Sequence, residues 1–156
     1  MAENKMTKVE LQERITLAPF HKWLGLRVSE VNEDNIRISV PWRQEFVVNP
    51  QRGYTHGGIL ATLIDTAADY ALAVKIGTPV PTVDLRVDYH RAAMPGELTV
   101  EARVLNMGGT FSTAEAMIYD SEGKLLASGR GVYHSPANRQ TSLNSGPVKS
   151  RSKEKT

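Results

Sequence analysis

Apolar residues recur along this chain with two different periods, which separate one long helix from a set of strands. Residues 58–75 are apolar around most of the helical circumference, which predicts a long helix buried on several sides. Gly77 and Pro79 predict its end. Residues 82–90 alternate between polar and apolar positions, as a half-buried strand does. A buried helix followed by sheet is therefore expected.

The remaining segments are shorter and are separated by turn residues. Further strands are predicted over residues 26–31, 36–40, 98–105, 111–119 and 125–133. The tight turn at 32–35 makes the first two a hairpin, and similar turns among the later strands favour antiparallel pairing. A short helix is expected over residues 8–17, with Val9, Ile15 and Leu17 as apolar residues and Pro19 beyond its end. Residues 41–53 are expected to be irregular. The predicted fold class is α+β, with an antiparallel sheet wrapped around one long central helix.

Length and charge predict one domain with two appendages. The 156 residues suit a single core, so we assign residues 1–16 to an N-terminal extension, 17–136 to the domain and 137–156 to a disordered basic tail. The tail from Arg139 carries +4, which leaves −2 for the rest of a chain whose total is +2. The tail lacks aromatic residues and repeats, so we expect it to be solvated, with no nucleic acid as partner.

Composition also limits the chemistry. The chain contains no cysteine, which excludes disulfides, thiolate catalysis and cysteine-bound metals. The four histidines lack the spacing of metal ligands, so no metal is expected. No stretch is long enough for a membrane span, and the first ten residues are too polar for a secretory signal. We therefore expect a cytoplasmic protein that does not engage a membrane.

Candidate chemistry gathers where the long helix begins. His56 and two glycines, Gly57 and Gly58, stand at its mouth, where unpaired backbone N–H groups carry partial positive charge. Asp65 follows two turns later and could activate water as a general base or attack as a nucleophile; the sequence leaves both open. An oxyanion site together with a carboxylate suggests acyl chemistry.

A simpler interpretation competes with this one. Thr62, Asp65, Thr66 and Asp69 fall on one narrow sector of the helix, and by itself such a stripe is typical of the solvent-facing edge of an amphipathic helix. The two acids lie one turn apart and repel each other. At most one of them is therefore expected in a closed site.

The combination of motifs resembles a known family. His56-Gly57-Gly58 with Asp65-Thr66-Ala67, the strand at 81–89 followed by Pro-Gly, and the Gly-Arg-Gly run at 129–131 are similar to hotdog-fold acyl-CoA thioesterases of the phenylacetate-degradation (PaaI-like) type. The resemblance covers residues 17–133. It implies a hotdog fold that hydrolyses an acyl-CoA thioester to free acid and CoA, with no cofactor beyond the CoA of the substrate. It also implies a homodimer or homotetramer, the tetramer being expected, with the active site at the dimer interface.

The resemblance also implies residue roles. Asp65 would be the catalytic carboxylate, the Gly57 N–H would polarise the thioester carbonyl, and His56 and Asn49 would position the carbonyl or the water. Thr82 would help to hold the water. Asn49 lies seven residues before His56 where the family has six, so its role is the one in question. Asp69 matches no catalytic position of the family and is expected to be structural or to lie at the pocket rim.

Substrate binding is assigned to three further positions. Gly58 belongs to the helix mouth, whereas Arg91 and Arg130 are candidates for contacts with the phosphates of CoA. A solvated surface arginine is the alternative for each of the two.

Two other functions remain open at this point. A hotdog hydratase or dehydratase acting on an acyl thioester also pairs a histidine with a helix carboxylate, but that family has Phe-Pro after the histidine, where this chain has Gly57-Gly58. A non-catalytic acyl-CoA sensor would not need Asp65 and usually carries a DNA-binding domain. Only the basic tail favours the sensor.

Overall fold

The computed structural model describes residues 3–137. The predicted tail covers 137–156, and from residue 138 onward it lies outside the described residues. The helices are α1 (Lys8–Thr16), α2 (Pro19–Leu24) and α3 (Gly57–Ile76), and a short 3-10 turn covers Gln44–Phe46. The strands are β1 (Arg27–Val31), β2 (Ile36–Val40), β3 (Thr82–Tyr89), β4 (Leu98–Met107), β5 (Phe111–Tyr119) and β6 (Leu125–His134).

The six strands form one antiparallel sheet in the order β1-β2-β4-β5-β6-β3. Buried and half-buried positions alternate along β2 and β5, because successive side chains of a strand point to opposite faces. The inner face packs against α3, which contacts β2 to β6. The predicted α+β architecture, an antiparallel sheet wrapped around one central helix, is confirmed.

The central helix forms as predicted, with one more residue at each end. Twelve of its twenty residues are buried, in keeping with its apolar circumference. Gly77 ends it in the left-handed region at φ 98°, which glycine adopts without steric cost. In the described part of the chain no helix combines the length and apolarity needed to cross a bilayer.

The first helix packs on the domain through a different face from the one its sequence suggested. Leu11 and Ile15 are fully buried, whereas Val9 and Leu17 are 65% and 73% exposed. Residues four apart lie on the same face of a helix, so Leu11, and not Val9 or Leu17, accompanies Ile15 into the core. A capping box between Thr7 and Glu10 begins the helix.

Two short elements escaped prediction. Pro19 does follow the end of α1, but it also occupies the first turn of α2, where its missing N–H costs nothing. Gly25, in the left-handed conformation, ends α2 after six residues. The 3-10 turn lies inside the segment 41–53 that was expected to be irregular, and it is too short to leave a periodic pattern.

Strand β3 forms one edge of the sheet. It pairs with β6, and no other strand of residues 3–137 pairs with its outer side. Val83 and Tyr89 are 57% and 55% exposed, whereas Leu85 and Val87 are half-buried and pack against the core. The alternation predicted a half-buried strand correctly, but the chain itself covers only the middle of its apolar face.

Candidate active site

His56 caps the central helix. The ring Nδ1 of His56 accepts a hydrogen bond of 2.7 Å from the Gly58 N–H, and the backbone N–H of His56 donates to the Phe46 carbonyl at 2.7 Å. A Cβ on residue 58 would lie 2.8 Å from the same Nδ1, so glycine is needed there for the imidazole to reach the backbone. With Nδ1 as acceptor, the neutral ring carries its proton on Nε2 and can donate from that atom.

Gly57 is the first residue of α3, so its N–H has no acceptor within the helix. No other acceptor among residues 3–137 takes it. The Tyr89 hydroxyl donates to the Gly57 carbonyl at 2.9 Å, and the tyrosine ring lies 3.2 Å from where a Cβ of residue 57 would stand. An amide that is free at a helix N-terminus can bind a developing oxyanion.

Asp65 is held by two hydroxyl groups on one oxygen. Thr82 Oγ1 donates to Asp65 Oδ1 at 2.8 Å, and the Tyr133 hydroxyl lies 3.2 Å from the same oxygen and 3.1 Å from the Asp65 carbonyl. Oδ2 receives no hydrogen bond from the described residues 3–137. One carboxylate oxygen is therefore fixed, and the other is available for chemistry.

Tyr133 is the functional residue that sequence reasoning missed. Its side chain is fully buried, and burial, followed by the charge of Asp65, raises the pKa of its phenol well above the usual value. The group stays protonated and acts as a donor. A Cβ on Gly131 would lie 2.5 Å from the Tyr133 oxygen. A glycine two residues before a tyrosine on the inner face of β6 was the available sequence signal.

The polar stripe of α3 is more enclosed than the solvent-facing edge of an amphipathic helix, because Thr62, Asp65 and Asp69 are half-buried. Thr66 is buried, and Thr62 bonds back to the Gly58 carbonyl at 2.9 Å. Asp69 accepts a hydrogen bond of 2.8 Å from the Val80 N–H. Burial raises the pKa of Asp69 to about 7, against the lowering effect of the Val80 bond, and the nearby charge of Asp65 adds to the rise. Asp69 therefore has the structural contact expected for it.

The other sequence-predicted residues lie in different places. Asn49 uses its Oδ1 to accept from the amides of Gln51 and Arg52, at 3.1 and 3.0 Å, in an Asx turn. Its side-chain NH₂ donates to no residue of the described range 3–137. This turn leaves the amide group of Asn49 able to donate to a ligand.

The two arginines proposed for CoA binding, Arg91 and Arg130, lie in different parts of the structure. Arg91 lines a surface cleft of about 340 Å³ at the helix mouth, together with Gly57 and Tyr89. Arg130 pairs across the sheet with Arg86; Gly129 beside it faces Ile64 of α3. Because strand side chains alternate, Arg130 lies on the outer face of the sheet, away from the helix mouth. Its substrate role stays a prediction.

Within one chain the two halves of the candidate site are separated. Asp65 lies eight positions after Gly57 along α3, which is about 12 Å at 1.5 Å per residue. In a thioester attacked by a carboxylate, or by water that the carboxylate activates, the carbonyl oxygen lies within about 3 Å of the N–H group that stabilises its charge. Along the helix axis, the Gly57 amide and Asp65 of the same chain are therefore farther apart than such a pair of groups would be. No group of three or more His, Asp or Glu side chains in residues 3–137 could hold a metal ion.

Comparison with known proteins assigns the family. The family model described as the thioesterase superfamily matches residues 52–127, the span from the helix mouth to β6. A Halobacterium salinarum protein that is provisionally assigned as an esterase is 34% identical over 122 residues, which cover 71% of this chain and 80% of that protein. The chain belongs to the thioesterase superfamily. It is accordingly a thioester hydrolase with the hotdog fold.

Solved structures agree with this assignment. A crystal structure from the thioesterase superfamily shares 48% identity and a TM-score of 0.78, covering 80% of this chain and 94% of that one. The Escherichia coli PaaI protein from the phenylacetic acid degradation operon shares 25% identity and a TM-score of 0.65, covering 72% and 85%. Human acyl-coenzyme A thioesterase 13 is 36% identical over 85 residues, which are 53% of this chain and 61% of that protein. The PaaI-like resemblance expected from the sequence motifs is confirmed.

Proposed function

We propose that this member of the thioesterase superfamily hydrolyses acyl-CoA thioesters to a free acid and CoA. The observation that carries the proposal is the state of Asp65, whose Oδ1 is fixed by Thr82 and Tyr133 while Oδ2 stays open. The name of the human relative, an acyl-coenzyme A thioesterase, supports CoA as the thiol of the substrate.

The chemistry assigns one role to each half of the site. Asp65 Oδ2 either removes a proton from water as that water attacks the carbonyl carbon, or attacks the carbon itself to form a mixed anhydride that water then hydrolyses. In both routes the C–S bond breaks, the thiolate of CoA leaves and takes up a proton, and the acid keeps the oxygen of water. The Gly57 N–H stabilises the negative charge on the carbonyl oxygen, and such a donor lowers the barrier by about 3 kcal/mol. No cofactor takes part.

A second copy of the chain completes the site in this proposal. Since the Gly57 amide is about 12 Å from Asp65 along the helix, we place Asp65 of one chain opposite Asn49, His56 and Gly57 of another. The unpaired outer side of β3, with Val83 half-exposed, supplies an edge through which two copies can associate. The assembly is a dimer, or the tetramer expected from the sequence.

The helix mouth supplies the remaining contacts. The free NH₂ of Asn49 and Nε2–H of His56 are donors for the carbonyl or the water. Arg91 lines the cleft beside Gly57, where its charge suits the phosphates of CoA. Gly58 is a further substrate contact of this mouth in the proposal. Arg130, on the outer face of the sheet, is kept in the proposal as a substrate contact separate from the helix mouth, and so is the cytoplasmic location.

A panel of acyl-CoA thioesters, aromatic and of short, medium and long chain, with a free-thiol readout tests the proposal. We expect turnover by the natural chain and a fall of about 100-fold or more in Asp65→Asn, with an unchanged unfolding temperature. Asp34→Asn removes an exposed carboxylate in the β1–β2 turn and serves as the matched control. Full activity in Asp65→Asn would overturn the mechanism. Tight binding without thiol release would favour the sensor, and hydration of enoyl-CoA substrates would favour the hydratase.

A further inference from the structure

The link between α3 and β3 has a single backbone donor at its centre. Val80 stands between Pro79 and Pro81, and proline has no N–H. The Val80 N–H is therefore the only amide hydrogen of residues 79–81 that can anchor this segment. Val80 is buried, so this donor needs an acceptor inside the protein.

Asp69 supplies that acceptor. Its Oδ1 takes the Val80 N–H at 2.8 Å, and Asp69 lies one helical turn beyond Asp65 on the same face of α3. Two residues after Val80, the hydroxyl of Thr82 donates to Asp65 at 2.8 Å. The two acids of α3 thus hold two points of one short segment.

The other hydrogen bonds of this segment do not connect it to α3, although the buried Val80 side chain shares the hydrophobic core with the helix. The Pro81 carbonyl accepts from the His134 N–H at 2.9 Å, which ties the link to β6. Arg14 of α1 donates to the Thr78 hydroxyl at 3.3 Å. The register of β3 with β6 shifts between Thr82 and Asp84, so the regular ladder begins only after Thr82. Beside the contact with Asp65 itself, the bond to Asp69 is the hydrogen bond that fixes residues 80–82 to the polar stripe of α3.

We propose that Asp69 is a positioning residue, which holds the α3–β3 link so that the Thr82 hydroxyl meets Asp65 Oδ1 and leaves Oδ2 free. The inference rests on the proposed catalytic role of Asp65. It gives Asp69 a part in the reaction through Thr82, without contact with the substrate.

The charge of Asp69 is not what the positioning requires. Burial raises its pKa to about 7, so protonated and ionised forms coexist near neutral pH, and Oδ1 accepts in both. The titratable groups that surround it are Asp65 and Tyr70 on α3, Tyr133 on β6 and, beyond Tyr70, Arg14 on α1. An asparagine retains the carbonyl acceptor without the charge and is expected to replace Asp69 in this role.

A double-mutant cycle with Thr82 tests the proposal. We expect Asp69→Leu to lower kcat about 10-fold with little change in KM, because a reacting group is misplaced, and Asp69→Asn to stay within about 2-fold of the natural chain. When Thr82→Val is already present, adding Asp69→Leu should lower kcat by a further factor of less than about 2, since the effects of coupled residues are not additive. The proposal would be overturned if the falls in kcat of Asp69→Leu and Thr82→Val multiplied in full in the double variant, or if Asp69→Asn lowered kcat 10-fold.

Hydrogen exchange of the Val80 amide gives a readout that is independent of turnover. Exchange should be faster in Asp69→Leu and unchanged in Asp69→Asn; continued protection in Asp69→Leu would refute the contact. If Asp69→Leu does not fold, Asp69→Ala is the second variant that lacks the acceptor. Full activity in Asp65→Asn would defeat the proposed function while the exchange result still reported on Asp69, so the two failures are distinguishable.

Discussion

The hydroxyl of Thr82 donates a hydrogen bond of 2.8 Å to Oδ1 of Asp65, across 17 positions of sequence. The family resemblance assigns Thr82 to the water. In the structure the hydroxyl is directed at the carboxylate, where it restricts the side chain of Asp65 and leaves Oδ2 without a hydrogen bond from residues 3–137.

Removing this hydroxyl should impair turnover more than stability. We expect Thr82→Val to lower kcat about 10-fold, because Asp65 loses one of its two side-chain donors and the productive orientation. Thr82→Ser keeps the donor and should stay close to the natural rate. Steady-state kinetics on the preferred acyl-CoA measures both, and equal activity in Thr82→Val and Thr82→Ser would contradict the assignment.

The contribution of the Tyr133 hydroxyl can be separated from that of its aromatic ring. Tyr133→Phe keeps the buried ring and removes one donor to Asp65, so the free energy of unfolding should fall by about 1 kcal/mol. Denaturant unfolding measures this, and kcat should fall in the same variant.

A change at Gly131 should disturb the same tyrosine from the other side. In Gly131→Ala the new Cβ would lie 2.5 Å from the Tyr133 oxygen, so the ring must move from Asp65. We expect a greater loss of stability than in Tyr133→Phe, of about 2 kcal/mol or more. Gly109→Ala is the matched control, since nothing lies within 4 Å of its Cβ position. A Gly131→Ala variant as stable as this control would contradict the packing.

The raised pKa of Asp69 predicts a pH dependence of stability. The folded-state pKa of about 7 lies above the ordinary value of 3.8, so between these values the folded chain holds a proton that the unfolded chain releases. The associated stability is fully present below about pH 4 and is lost as pH rises to about 7. Asp69→Asn should remove this contribution.

Urea unfolding of both proteins from pH 4 to 8 measures the effect. The free energy of unfolding of Asp69→Asn, relative to that of the natural chain, should rise with pH across this window and level off above pH 7. A constant difference between the two proteins would show that Asp69 titrates at its ordinary pKa.

Mixing two inactive variants tests whether two chains build one site. In a heterodimer of Asp65→Asn with His56→Ala, one site carries both substitutions and the other carries neither. If His56 acts on the partner's Asp65, unfolding and refolding an equal mixture should restore about a quarter of the natural activity, because half of the dimers are mixed and each has one intact site. No recovery above the separate variants would place both residues in the same chain's site.

Much of the fold could be predicted because its signals are local. The apolar circumference of α3, the alternation of the strands and the turn residues each occupy a few neighbouring positions, so periodicity finds them. Element α2 has six residues, fewer than two helical turns, and leaves no such signal. The burial of Leu11 in place of Val9 depended on where α1 docks, which no local pattern contains.

The sequence by itself determined the central helix, the order of helices and strands along the chain and the segment from His56 to Asp65, because periodicity and spacing along one helix are local. The order of the strands in the sheet, with β3 beside β6, came only from the structure. Only the tertiary structure decided what the two acids do. Thr82 reaches Asp65 from 17 positions away and Tyr133 from 68, while the backbone N–H of Val80 donates to Asp69. These contacts form because sheet strands and a link distant in sequence meet the polar stripe of α3, so that side chains which look like a solvent edge are hydrogen-bonded and only partly exposed.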